Sequence, residues 1–215
     1  LRLYIDSVRM EEINFALDLG IVFGVTTNPL LFTKSKVKFK ETIEEICNKV
    51  KTEVHVQTYG RKSEEMVKNA LKLAELSKII VIKVPANTEG IKAIKELHAM
   101  GISTTATAIL SESQALTSAL AGANYIAPFY SRAQNIGINS LKLIAHICQL
   151  YKIHNIDTKI LVASIKTPNQ AIDSLRMGAH AVTLPYNVLI EMLENPIITP
   201  IVEDMHKAYE TSFII

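Results

Sequence analysis

The sequence predicts an α/β protein, a (β/α)8 barrel with one additional C-terminal helix, on three observations. Short β-branched, apolar runs alternate with longer amphipathic segments along the whole chain. These runs stay apolar along their bodies, as strands of a helix-covered parallel sheet do, and the connections are long enough for right-handed crossovers. Their ends are polar: Asp6, Thr26-Thr27-Asn28, Gln57, Lys83, Thr105 with Thr107, and Ser164. In barrels of this kind the C-terminal strand ends build the site. A chain of 215 residues just exceeds the lower size limit of about 200. An open doubly wound sheet is the competing architecture. Its glycine-rich phosphate turn is missing, since the first strand leads into Asp6-Ser7-Val8-Arg9-Met10.

The first strand is expected over Leu3–Asp6 and its helix near Met10–Leu19, where apolar residues recur at helical spacing. Val22–Thr26 follows, ended by the turn signal Thr26-Thr27-Asn28-Pro29, and then the amphipathic segment Lys40–Lys51. The third unit pairs Glu53–Gln57 with Ser63–Leu76, and the fourth pairs Ile79–Val84 with Thr88–Met100. Thr88, followed by Ile91, Lys92 and Ile94, reads as the start of that helix. Ser103–Thr107 with Ser111–Ala121, and Asn124–Phe129 with Asn139–Tyr151, make the fifth and sixth units. Ile160–Ser164 leads into Pro168–Met177, with Thr167 as N-cap and Pro168 at the first helical position. Ala181–Leu184 and Tyr186–Leu193 close the series. Gly101, Gly122 and Gly178 fall where helices end and strands begin, as C′ residues do. Ile197–Ser212 is left over as an extra helix. No linker or low-complexity stretch divides the chain, so residues 1–215 are expected to form a single domain.

Composition narrows the function classes. The chain is 48% hydrophobic and 20% charged, ordinary for a soluble domain. A net charge of +2 without a clustered basic, aromatic-interleaved face argues against nucleic acid as the partner. No apolar run approaches the roughly 20 residues of a membrane span, and no signal sequence precedes the first strand. Cys47 and Cys148 lie far apart and outside any C-x-x-C pattern, which fits a reduced, cytoplasmic setting. His98, His146, His154, His180 and His206 fall on helices, loops or turns, without the strand-end pairing a zinc-dependent aldolase needs. No metal or other cofactor is expected.

Lys83 is the most informative residue. It lies near the end of the run Ile79-Ile80-Val81-Ile82-Lys83-Val84-Pro85, where burial disfavours the ammonium and frees an amine as a nucleophile. Alternation puts Lys83 and Val81 on one face and Ile80, Ile82 and Val84 on the other, so the lysine can point into the barrel. A solvent-reaching or carboxylate-paired lysine is the bland alternative. The ring of Asp, Asn, Gln and Thr at the other strand ends favours carbonyl chemistry. Taken singly, Asp6 could cap a helix and Thr26-Thr27-Asn28-Pro29 could be only a turn. His55 shares the parity of Gln57 and reads as a hydrogen-bonded core residue. Arg132 lies just past the sixth strand, and Ser164-Ile165-Lys166-Thr167-Pro168 runs into a helix start. Together they suggest an anion pocket at the same rim, although either charge alone could be an ordinary solvated one.

The chain resembles the small transaldolase / fructose-6-phosphate aldolase family in a motif on each of its first seven strands. These are Leu3-Tyr4-Ile5-Asp6-Ser7, Gly24-Val25-Thr26-Thr27-Asn28-Pro29, Val56-Gln57, Ile82-Lys83-Val84-Pro85 and Thr105-Ala106-Thr107-Ala108. Ala127-Pro128-Phe129-Tyr130-Ser131-Arg132 and Ala163-Ser164-Ile165-Lys166-Thr167-Pro168 complete the set. The resemblance implies a Schiff-base lysine on strand four, here Lys83, with Asp6 as acid and base at the substrate C4 hydroxyl. It implies that Gln57 and Thr107 position a proton-shuttling water, and that Asn28 holds substrate hydroxyls. Arg132 and Ser164, with Lys166 nearby, would bind the terminal phosphate, and Thr26 and Phe129 join the substrate-binding set. It also implies a cytoplasmic homo-oligomer, a pentamer or decamer, with the C-terminal helix packed on a neighbour.

Two positions pull the reaction in different directions. Strict aldolase members carry tyrosine where this chain has Phe129, which is the transaldolase choice, whereas Gln57 is aldolase-like. The expected activity is transfer of a dihydroxyacetone unit between sugar phosphates, in metabolism of the pentose phosphate type. The alternatives are cleavage of fructose 6-phosphate to dihydroxyacetone and glyceraldehyde 3-phosphate, a related sulfosugar transaldolase, or a non-catalytic sugar-phosphate-binding barrel.

Overall fold

In the computed structural model, residues 1–194 and 196–212 are described. The expected domain runs to residue 215, and residues 195 and 213–215 lie outside the described ones. Parallel strands close into a barrel in sequence order. They are β1 (Arg2–Asp6), β2 (Gly24–Thr26), β3 (Glu53–Gln57), β4 (Ile80–Pro85), β5 (Thr104–Ile109), β6 (Tyr125–Pro128), β7 (Lys159–Val162) and β8 (Ala181–Leu184). Pairing of β1 with both β2 and β8 completes the ring. The (β/α)8 barrel expected from the sequence is therefore the observed fold, with an extra C-terminal helix.

Crossovers from β1 to β5 are α1 (Met10–Asp18), α2 (Pro29–Ser35), α3 (Phe39–Lys49), α4 (Ser63–Ala74) and α5 (Thr88–Ala99). The remainder are α6 (Glu112–Leu120), α7 (Tyr130–Asn135), α8 (Ser140–Ile153), α9 (Pro168–Arg176), α10 (Tyr186–Leu193) and α11 (Ile198–Ser212). Two of these, α2 and α7, differ from the expected turn and loop. Pro29 stands at the start of α2, and the Asn28 side chain accepts the Leu31 N–H, so the turn signal is in fact a helix cap. The cap of α5 is Asn87 rather than Thr88, because the Asn87 side-chain Oδ1 accepts the Gly90 N–H at 2.8 Å. Gly90 itself cannot be replaced cheaply: a Cβ there would sit 1.8 Å from the Pro85 carbonyl oxygen. Gly101, Gly122 and Gly178 occupy positive φ after α5, α6 and α9, as expected of C′ residues.

The two parities of each strand feed two cores. Ile80, Ile82 and Val84 face the helices and join the main apolar cluster, with Val25, Val54, Ile126 and Ile160 from other strands. Burial of each such side chain stabilises the fold by roughly 1.5–3 kcal/mol. Inside the barrel, Tyr4, Val81, Tyr125, Leu161 and Ala181 fill the lower layer. The layers above it carry buried polar groups, among them Thr26, Lys83, Thr105, Thr107 and Thr183, toward the C-terminal mouth. In α11 no residue is buried, and Ile198, Ile201, Val202 and Met205 are exposed along it.

Candidate active site

Register carries the inward parity from strand to strand. Asp6 pairs with Thr26, Thr26 with His55, Gln57 with Lys83, Lys83 with Thr105, and Pro85 with Thr107. The polar strand ends read from the sequence therefore converge on one axis. At its centre Lys83 is 7% exposed, and its Nζ donates to the Thr27 carbonyl oxygen at 2.8 Å. Burial pushes the ammonium pKa down; the Asp6 carboxylate opposes this and the Arg132 guanidinium adds to it. An amine so placed is deprotonated more readily than a surface lysine and can attack a carbonyl carbon.

Asp6 is held from two sides. Its Oδ1 accepts the Thr26 hydroxyl at 2.7 Å, and its Oδ2 accepts the Asn28 amide at 3.3 Å. Thr26 has one hydroxyl proton and gives it to the carboxylate, so the Thr183 hydroxyl, 2.7 Å away, must donate to Thr26. Asn28 thus joins two tasks, capping α2 with its oxygen and orienting Asp6 with its nitrogen. Asp6 does not cap a helix: the residue preceding α1 is Arg9.

Gln57 is half-buried across from Lys83 and ends β3. Thr107 is 3% exposed, and its hydroxyl oxygen is buried without a hydrogen-bond partner. An unpaired buried hydroxyl costs about 1–3 kcal/mol. Thr104 is likewise unpartnered, but Thr107 shares the inward parity of Thr105, the registered neighbour of Lys83, which makes it the one able to meet a ligand at this mouth.

The part of the mouth that carries Arg132, Ser164 and Lys166 is built by β6, α7 and β7. Phe129 bridges to Ala163, and the Ser131 N–H donates to the Ser164 carbonyl oxygen at 3.0 Å, drawing the start of α7 to the end of β7. Arg132 stands on α7, exposed, with its guanidinium carbon 4.7 Å from the Phe129 ring centroid. Ser164 takes a positive φ of 60°, rare for a residue other than glycine and a conformation that turns the chain toward α9. Thr167 caps α9 and Pro168 follows it, as the sequence indicates. Lys166 stands apart: its side chain is exposed, while its backbone N–H donates to the Gln170 side chain at 2.7 Å. Among the described residues, no cluster of His, Cys, Asp and Glu is placed to hold a metal ion.

Three contributors were not apparent from the sequence. The Thr27 carbonyl reaches Lys83 through backbone geometry alone. Thr183 lies in an otherwise apolar last strand, and its inward parity, opposite Tyr4, is the signal that marks it. Helix α7 is too short to show an apolar period. A cavity of about 530 Å3 opens at the opposite, N-terminal mouth, lined by Arg2, Glu53, Tyr125, Asp157 and Lys159 among others. Its lining includes neither Lys83 nor Asp6, so the C-terminal mouth is the candidate site on chemical grounds.

Comparison with known proteins supplies the family. The family described as Transaldolase/Fructose-6-phosphate aldolase matches residues 3–214. A probable transaldolase from Clostridium perfringens is 39% identical over 213 residues, covering 97% of this chain and 99% of the relative. One from Clostridium botulinum is 38% identical over 213 residues, covering 99% of this chain and 98% of the relative. Among solved structures, a mandelate oxidase mutant superposes with a TM-score of 0.60 at 14% identity, covering 86% of this chain and 63% of that one, a likeness of fold alone. The match over nearly the whole length, with the strand-end residues gathered at one mouth, makes this chain a member of the transaldolase/fructose-6-phosphate aldolase family and an enzyme of that type.

Proposed function

We propose that the protein is a Schiff-base transaldolase that moves a dihydroxyacetone unit from a ketose phosphate to an aldose phosphate, in metabolism of the pentose phosphate type. The observation that carries this reading is the buried, inward Lys83 with its pKa lowered, one strand from Gln57 and facing the Asp6 carboxylate. Lys83 attacks the ketose C2 carbonyl to give a carbinolamine, and loss of water yields an iminium. Gln57 and the unpartnered Thr107 hydroxyl position a second water that shuttles protons during this breakdown. Asp6 takes the C4 hydroxyl proton, the C3–C4 bond breaks, and its electrons flow into the iminium to leave an enamine. The departing aldose phosphate is replaced by another aldehyde, to which the three-carbon unit is transferred. Arg132 and Ser164, with Lys166 nearby, hold the phosphate, while Thr26, Asn28 and Phe129 line the substrate.

Gln57 favours a second reading, aldolase release of free dihydroxyacetone. Fructose 6-phosphate supplied with and without an acceptor aldose phosphate separates the two. A transaldolase turns over only with the acceptor, and sustained release of dihydroxyacetone without it would establish the aldolase. No turnover in either mixture would leave a sugar-phosphate-binding barrel. The exposed apolar stripe on α11 supports a homo-oligomer, pentameric or decameric, readable by sedimentation. The free thiols of Cys47 and Cys148 support a cytoplasmic setting.

A further inference from the structure

Below the proposed nucleophile, the barrel holds ionisable groups that the reaction does not use. His55 is fully buried and inward, one layer beneath Gln57 on β3. Its ring is wedged edge-on between Tyr4 and Tyr125, each with its centroid 5.0 Å away. Nε2 lies 3.3 Å from Glu53 Oε2, and Nδ1 lies 2.9 Å from the Thr105 hydroxyl.

These contacts fix a direction for every proton in the chain. Burial would raise the Glu53 carboxyl, but hydrogen bonds from His55, Tyr4 and Tyr125 outweigh it and hold the group at about 2, so it is ionised and can only accept. Nε2 must therefore carry the hydrogen. Burial lowers the His55 pKa and keeps the ring neutral, so Nδ1 is bare and accepts the Thr105 hydroxyl. The proton of Thr105 is turned down toward His55, and its oxygen lone pairs are left for the layer above. Thr105 is the registered neighbour of Lys83, on the same inward face.

We propose that Glu53 and His55 are positioning residues that hold Thr105 as a hydrogen-bond acceptor toward the Lys83 layer, favouring cationic nitrogen there. The opposite tautomer would turn the Thr105 proton upward, against an iminium. An imidazolium would add a second positive charge beneath it. The charged groups felt by Lys83 are Asp6 and Arg132; those around His55 are Glu53, Arg2 and Lys83, with Tyr4 and Tyr125 packed on its ring. This inference rests on the Schiff-base reading above, and its test separates the two.

Nitrogen-15 NMR of the imidazole in the intact wild-type protein should show Nε2 protonated and Nδ1 bare at neutral pH. A proton on Nδ1, or a mixture of tautomers, would overturn the proposal without any variant being made. Thr105→Val should lower kcat by about three- to tenfold, the loss of one hydrogen-bond acceptor, with KM little changed. Without the acceptor the Lys83 ammonium is less favoured, so the acid limb of kcat/KM moves to lower pH. Glu53→Gln should move it in the same direction, and Thr105→Ser should restore both rate and limb. A packing role alone would lower activity without moving the limb. Borohydride trapping in wild type keeps the two ideas apart. If Lys83 traps normally but the limb of Thr105→Val stays at the wild-type pH, positioning is wrong and the Schiff-base reading stands. If wild type gives no adduct at Lys83, both fall.

Discussion

At the N-terminal mouth, the Glu53 carboxylate accepts hydrogen bonds from the Tyr4 hydroxyl at 2.7 Å, the Tyr125 hydroxyl at 2.8 Å, Arg2 at 3.2 Å and His55 at 3.3 Å. At the C-terminal mouth, Lys83 makes one hydrogen bond, to a backbone carbonyl, and the buried Thr107 hydroxyl makes none. Both ends bury polar groups in the same barrel, a few residues apart along the same strands. Around Glu53 the carboxylate and its donors satisfy one another and act as a plug. The other end keeps donors and acceptors without partners, at a cost to stability, and that unused capacity is what a substrate can bind.

The contrast is sharpest at Lys83. Replacing it with methionine should reduce turnover to the uncatalysed level, while unfolding stability stays the same or rises by up to about 2 kcal/mol, because a buried charge is exchanged for an apolar chain. Paired activity and denaturant measurements check this, and a large loss of stability would make the lysine structural. The plug should behave in the opposite way. Glu53→Ala leaves two tyrosine hydroxyls, His55 and Arg2 without their common acceptor and should cost about 2–4 kcal/mol of stability.

Acidification tests the plug without mutation. The folded Glu53 carboxyl sits at about 2 against an ordinary 4.5, so its stabilisation is complete above 4.5 and is lost as pH falls toward 2. His55 is held below its ordinary 6.5, so the unfolded chain takes up that proton first and stability also declines once the pH drops below 6.5. Urea unfolding from pH 7 to pH 3 should show progressive destabilisation, and a flat profile would contradict the assigned network.

Smaller effects probe how finely the open mouth is tuned. A charge-assisted hydrogen bond is worth roughly 1.5–3 kcal/mol, so Arg132→Ala should lose about ten- to a hundredfold in kcat/KM for a phosphorylated substrate. An unphosphorylated aldehyde acceptor should lose far less; equal losses would give Arg132 a role in fold or chemistry instead. Phe129→Tyr should raise release of free dihydroxyacetone relative to transfer, by placing a hydroxyl near the water. An unchanged ratio would assign that partition to Gln57. The same ring stacks on Arg132, a contact worth about 0.5–1 kcal/mol, so Phe129→Leu should raise KM for phosphorylated substrates by only a few-fold.

The open mouth was largely legible in the sequence and the plug was not. Lys83, Asp6, Gln57 and Thr107 stand out because each interrupts an apolar strand near its end, and period-two alternation fixes the face they share. His55 read as a hydrogen-bonded core residue, which the structure bears out, but its partners were hidden. Tyr4, Thr105 and Tyr125 come from other strands, and the stagger between strands is set by barrel closure rather than by local pattern. Helices α2 and α7 escaped because six or seven residues hold no more than two turns of a 3.6-residue period. The positive φ of Ser164 carries no compositional mark, since a glycine would have been the usual signal.

One measurement reaches the reading most directly. The protein is incubated with fructose 6-phosphate, reduced with borohydride, digested and mapped by mass spectrometry. The geometry leads to one irreversible adduct of a reduced dihydroxyacetone unit or the whole ketose, carried by Lys83 and absent from Lys83→Met. An adduct on Lys166 or Lys78, or protein that stays unmodified while turnover continues, would contradict it.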